Sequence, residues 1–156
     1  MITHFERAEP MQPVSDGRFQ WGAAFGAGAL AGLILLMVPR GSPWSDLTFF
    51  APVVMGRVIP DTFNFGFLPA AVVHLAVSVL YGLIISRIIA PLHQERAIFA
   101  GGVVGLVLYL VNFIAVTVLF SSLRGNEFPV IFTHIVFGLV AAGAYRGLLR
   151  RRPVAV

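Results

Sequence analysis

The sequence contains no cysteine and no lysine; all eleven of its cationic residues are arginine. Without cysteine there are no disulfides, no thiolate catalysis and no cysteine-ligated metals. Charge of either sign is scarce, at 12% of 156 residues, where a soluble domain carries about 25%. The hydrophobic fraction is 58%. In water a chain this apolar would expose large sticky patches, whereas lipid solvates them. Acidic residues are missing from the apolar runs. Asp46, Asp61, Glu95 and Glu127 fall in loops or at run ends, and Glu6, Glu9 and Asp16 precede the first run. Proton relays and ion-coupled carriers place a carboxylate inside the membrane, so that chemistry lacks its usual residue. No catalytic motif is present, and the chain reads as a non-enzyme. The pI near 10.7 invites nucleic-acid binding, but that needs clustered charge on a folded surface. Here the arginines separate long apolar runs, so the expected partner is the bilayer and not a nucleic acid.

Four runs meet the roughly 20 apolar residues a span requires: residues 19–38, 67–90, 97–120 and 128–149. Helices are expected, because backbone amides in hydrocarbon must be paired within the segment. Residues 1–18 lack the basic start and short apolar core of a cleavable signal and read as a cytoplasmic arm. Residues 150–156 form a basic tail. Eight arginines lie on one side: Arg7, Arg18, Arg87, Arg96, Arg146, Arg150, Arg151 and Arg152. Three, Arg40, Arg57 and Arg124, lie on the other. The richer side is assigned to the cytoplasm, which places both termini inside. The expected fold is an all-α membrane protein, a bundle of four transmembrane helices.

In the long first outer loop, Ser42-Pro43 resembles a helix start. Trp44, Leu47, Ala51, Val54 and Val58 share a helical stripe, which predicts a short helix over 44–58, lying in the interface or packed as a lid on the bundle, with Pro52 a point of division. Small residues recur every fourth position: Ala24, Gly28 and Gly32; Gly22 and Gly26; Gly101 and Gly105; Gly143 and Gly147. Such rows let membrane helices approach closely, either within one bundle or between copies in a homo-oligomer or larger complex.

The second and fourth runs share a pattern, Pro69 before His74 and Pro129 before His134 at equal spacing, which suggests two related helical hairpins. By the helix rise, His74, His134 and Asn112 lie about 10, 9 and 12 Å inside the outer surface. Ser78 and Tyr81 continue the His74 face, and Tyr109 precedes Asn112 on its own helix. Buried polar groups turn inward and find partners, so His74, Ser78, Tyr81, Tyr109, Asn112 and His134 are the candidate site, either a packing network or a ligand site. Two histidines at one depth also suit a haem b iron, with Arg57 and Arg124 as outer-face anion contacts for its propionates. A bare metal ion is less well served, because stable sites want three or four ligands. Otherwise no cofactor is expected.

The chain resembles a family of small bacterial four-span inner-membrane proteins of unknown function, some with transporter-like names. The matching pieces are Met55-Gly56-Arg57, Ile59-Pro60, Val73-His74, Ser78 through Gly82, Tyr109 through Phe113, Leu119-Phe120, and His134 through Phe137-Gly138 to Tyr145-Arg146. They cover most of the chain from Trp44 onward. The resemblance implies a bacterial inner membrane and marks Arg57, His74, Asn112 and His134 as the polar positions of interest. It implies no activity. The residues leave three functional readings: an accessory or scaffold component of a membrane assembly, a bis-histidine haem electron-transfer subunit, and a small oligomeric channel or carrier.

Overall fold

A computed structural model describes residues 19–37, 53–54, 57–58, 67–119 and 127–150. Among the described residues there are four helices, α1 (Trp21–Met37), α2 (Phe67–Ile89), α3 (Gln94–Leu119) and α4 (Glu127–Arg150). A two-stranded antiparallel ladder, β1 (Val53–Val54) and β2 (Arg57–Val58), lies between α1 and α2. Among the described residues, three helices are long and apolar enough to cross a membrane, over Ala71–Ile89, Gln94–Leu119 and Glu127–Leu149. The fourth, α1, is apolar but 17 residues long.

The helix ends follow from local chemistry. Pro69 and Pro129 each stand third in their helices, where backbone N–H groups have no acceptor within the helix and proline costs little. Glu95 and Glu127 occupy first turns, favoured by the helix dipole. Helix α2 stops before Pro91, because proline disfavours helical backbone in the residue preceding it.

The interfacial helix expected over 44–58 does not extend through its second half. Val53 pairs with Val58 and Val54 with Arg57, so these residues are strands. Val53, Val54 and Val58 are β-branched and suit extended backbone. Met55 and Gly56 separate the strands, the two-residue spacing common in hairpins. The first half, 44–52, lies outside the described residues.

Alanines make up much of the buried interior, and many large apolar side chains face outward. The buried apolar positions include Ala23, Ala24, Ala27, Ala31, Ala97, Ala141 and Ala142, whereas Trp21, Phe25, Phe99, Val118 and Phe128 are exposed. That is the pattern a lipid solvent permits and water penalises.

Two of the small-residue rows serve pairings within the chain. Helix α1 packs on α2 through Gly28, where an added Cβ would lie 2.7 Å from the Ser78 carbonyl oxygen, and through Gly32, where it would meet the Ser78 side chain. Helix α3 packs on α4 through Gly101 and Gly105, whose added Cβ atoms would strike the Gly138 and His134 carbonyls. The two pairs share one pattern. Ala24, Ala27, Gly28, Gly32, Leu33 and Leu35 of α1 recur at the same spacing as Ala97, Ala100, Gly101, Gly105, Leu106 and Leu108 of α3. Gly143 and Gly147 differ, with nothing within 4 Å of an added Cβ.

Ser86 is fully buried, and its hydroxyl has no hydrogen-bond partner. An unsatisfied buried hydroxyl costs free energy. Ser86→Ala is therefore expected to leave stability unchanged or raise it by about 1 kcal/mol, read as the thermal midpoint in detergent. A clear loss would mean that the hydroxyl is bonded.

Candidate functional site

The candidate polar side chains lie in the half of the assembly where α1 and α3 end and α2 and α4 begin. Asn112 and His134 meet between α3 and α4, with the Asn112 amide Nδ2 and the His134 Nε2 3.2 Å apart. The His134 Nδ1 lies 2.8 Å from the Val130 carbonyl oxygen one turn earlier on α4. A carbonyl can only accept, so Nδ1 carries the proton. Nε2 is then the acceptor, and the Asn112 amide donates to it. One neutral tautomer of His134 thus satisfies both bonds, with Asn112 and His134 both buried.

Aromatic rings enclose this pair. The Tyr109 ring stands edge-on to His134 at 5.8 Å between centroids, and the Tyr81 ring of α2 lies 6.4 Å from it. The Tyr109 hydroxyl donates to Glu127 Oε2 at 3.2 Å. This contact brings a carboxylate in from the first residue of α4. Tyr109 stands ten residues before the C-terminal end of α3, which is about 15 Å by the helix rise. Position in the sequence assigned Glu127 to a run end and gave it no role. Its partner is what places its charge among the candidate residues.

His74 uses a different seam. Its Nε2 donates to the Gly32 carbonyl oxygen of α1 at 3.1 Å. Ser78, one turn further along α2, is buried against Gly32. Of the six candidates, Tyr81, Tyr109, Asn112 and His134 converge between α2, α3 and α4, while His74 and Ser78 face α1. The sequence expectation put His74, Asn112 and His134 at one depth; the hydrogen bonds add that His74 meets α1, and Asn112 meets His134. Of the outer-face arginines, Arg57 is in β2, and Arg124 lies outside the described residues.

The two histidines direct their Nε2 atoms to different helices. The bond from His74 Nε2 runs to α1, and that of His134 Nε2 runs to α3. Ligation through Nε2 would break one buried hydrogen bond at each ring. Among the described residues, no group of three or more His, Cys, Asp or Glu side chains is placed to hold a metal ion.

At the opposite end, Arg146 of α4 donates through Nη2 to the Ile89 carbonyl at 2.7 Å, to Ala90 at 3.3 Å and to Leu92. It thereby holds the turn between α2 and α3. In the sequence Arg146 counted only toward topology. Its position one turn before Arg150, inside the last apolar run, was the available sign of a structural role.

No family model matches this sequence, and no curated protein and no solved structure matches it significantly.

Proposed function

We propose that this is a non-enzymatic inner-membrane protein of four spans, an accessory or scaffold component of a membrane assembly, in which the polar layer acts as a packing element. The observation that carries this reading is the pairing of the inward polar groups. His74 bonds α2 to the α1 backbone, and Asn112 with His134 bonds α3 to α4. These bonds fall beside the glycine contacts of the same two helix pairs, so polar and packing contacts reinforce each other. Such interhelical bonds average about 0.6 kcal/mol each.

Helix α1 is counted as the fourth span because it packs on α2 at backbone distance along the Gly28–Gly32 row, and α2 is itself of spanning length. Its 17 residues reach about 25 Å, close to the roughly 30 Å of a hydrocarbon core. The arginine asymmetry sets both termini in the cytoplasm, and the family resemblance suggests a bacterial host. The shared pattern of the two pairs supports descent from one hairpin.

Two measurements test the proposal. A reporter active only in the cytoplasm is expected to work when fused after Val156 and to be silent when inserted near Asp61; the reverse pattern rejects the topology. For the polar layer, His74→Ala and His134→Ala are each expected to lower the thermal midpoint in detergent by a few degrees, and neither the wild type nor either variant is expected to show a Soret band. A Soret band in the wild type that either substitution abolishes would replace the packing role with haem binding.

A further inference from the structure

The shared pattern of the two helix pairs makes each seam between the pairs an internal control for the other. Exchanging the pairs carries the α1–α4 seam onto the α3–α2 seam. The first is closed: Gly26 lies against Leu148, with an added Cβ 3.2 Å from its Cδ1, and the Phe19 ring stacks on Tyr145 at 6.1 Å. The positions equivalent to Gly26 and Leu148 are Phe99 and Ile88. Phe99 is 75% exposed and Ile88 48% exposed, and α2 and α3 touch far less extensively than α1 and α4. The α2–α3 seam is thus flanked by an outward apolar surface of Ile84, Ile88, Phe99 and Val103.

Directly beyond that surface lies the turn of residues 90–93. Arg87 stands in the last turn of α2 and Arg96 in the first turn of α3. Both are exposed, and Arg146 reaches the same turn through its carbonyl bonds. Against these three cations the adjoining segments supply one carboxylate, Glu95, which is exposed. A rim of exposed cations at the helix ends, with the Arg87 guanidinium 6.0 Å from the Phe19 ring centroid, next to an apolar flank matches an amphiphile with an anionic head. A free anion would use only the rim, and a neutral lipid only the flank.

We propose that an anionic phospholipid binds here, its phosphate at Arg87 and Arg96 beside the turn that Arg146 holds, and its acyl chains along Ile84, Ile88, Phe99 and Val103. The planar arginine fork suits phosphate oxygens, and basic residues at a helix end draw anionic lipid heads. The site rests on the reading of α2 and α3 as spans, but not on which face of the membrane the turn occupies.

The test uses the full chain in neutral detergent, titrated with phosphatidylglycerol, phosphatidylcholine or inorganic phosphate at equal concentration. Bound lipid is read by native mass spectrometry and stability by thermal midpoint. Phosphatidylglycerol is expected to be retained and to raise the midpoint by several degrees, while phosphatidylcholine and phosphate do neither. Arg87→Gln with Arg96→Gln is expected to weaken phosphatidylglycerol binding at least tenfold while the lipid-free midpoint holds. Phe99→Ser with Ile88→Ser is expected to weaken it with the rim intact. Equal retention of the two lipids, full binding by the double glutamine variant, or reproduction of the shift by phosphate alone would each overturn the proposal. A reversed topology reporter would leave these results standing and move the headgroup to the other leaflet.

Discussion

Gly138→Leu is expected to produce the largest loss of stability of any single substitution in α4, with the chain unfolding in detergent far below the wild-type midpoint. A Cβ on Gly138 would strike the Gly101 carbonyl oxygen and its carbon at 2.8 Å, and would come within 3.1 Å of the Gly105 Cα. All three atoms are backbone, so no rotamer change relieves the clash, and two helices must separate. Overpacking a core typically costs about 1–3 kcal/mol. This contact belongs above that range, because separation also opens the Asn112–His134 bond. Two controls grade the effect. Gly102→Ala meets the flexible end of Leu139 at 3.0 Å and should cost much less. At Gly143 an added Cβ meets nothing within 4 Å, so Gly143→Leu should leave the isolated chain nearly unchanged. If Gly138→Leu and Gly143→Leu shift the midpoint alike, the α3–α4 pairing described here is wrong.

Gly143 also separates packing from assembly. In detergent its substitution reads only the fold of one chain. If its open row meets another helix in the native membrane, Gly143→Leu should disturb assembly while leaving the midpoint intact. The chain has no native cysteine, so single-cysteine crosslinking at this position reports neighbours without background.

The apolar runs were readable because a span must be both long and apolar. Helix α2 starts at Phe67, where the run begins, and α4 departs from its run by one residue at each end. Helix α3 starts three residues earlier than its apolar run, at Gln94. Gln94, Glu95 and Arg96 are good helix formers, and polarity marked them as loop although it excludes them only from hydrocarbon. In its second half the helical stripe over residues 44–58 failed for a different reason. In a stretch this short, Val54 and Val58 fit a helical repeat and an extended one equally well, and the strand pairing of Val53, Val54 and Val58 decides between them.

The direction of the candidate side chains was not legible in the sequence. Spacing along a helix gives a residue's level, and three polar residues at one level invited a single network. What separates His74 from His134 is the identity of their partners. The Gly32 carbonyl is a backbone atom, and nothing in the sequence marks it as an acceptor. Glu127 was obscured in a similar way, because a residue at the end of one helix reached a tyrosine well inside its neighbour. The glycine rows carried more information than their generic form suggested. Aligned between α1 and α3, they show which helices pair, since the same positions meet the same kinds of neighbour.

Arg146→Ala is expected to destabilise the chain by about 2 kcal/mol, within the range for hydrogen bonds to charged groups. The guanidinium answers the carbonyls of Ile89, Ala90 and Leu92 as α2 ends and α3 has not begun, where no intrahelical donor exists. It also places a positive charge at the negative end of the α2 dipole. Water can partly replace it, because Arg146 is half-buried, and that keeps the loss below the cost of a fully buried charge. Arg146→Lys separates the two contributions. Lysine retains the charge but not the rigid fork, so it should recover the dipole interaction and only part of the hydrogen bonding, with a midpoint between wild type and alanine. Arg87→Ala serves as the comparison: its guanidinium lies 6.0 Å from the Phe19 ring centroid, an exposed contact that should cost less than 1 kcal/mol. The ordering wild type, lysine, alanine at position 146, with little change at 87, is the signature of a cap that joins α4 to the turn. Equal loss for lysine and alanine would assign the role to guanidinium geometry alone. No loss for either would remove Arg146 from the fold's support and leave it as a topology charge.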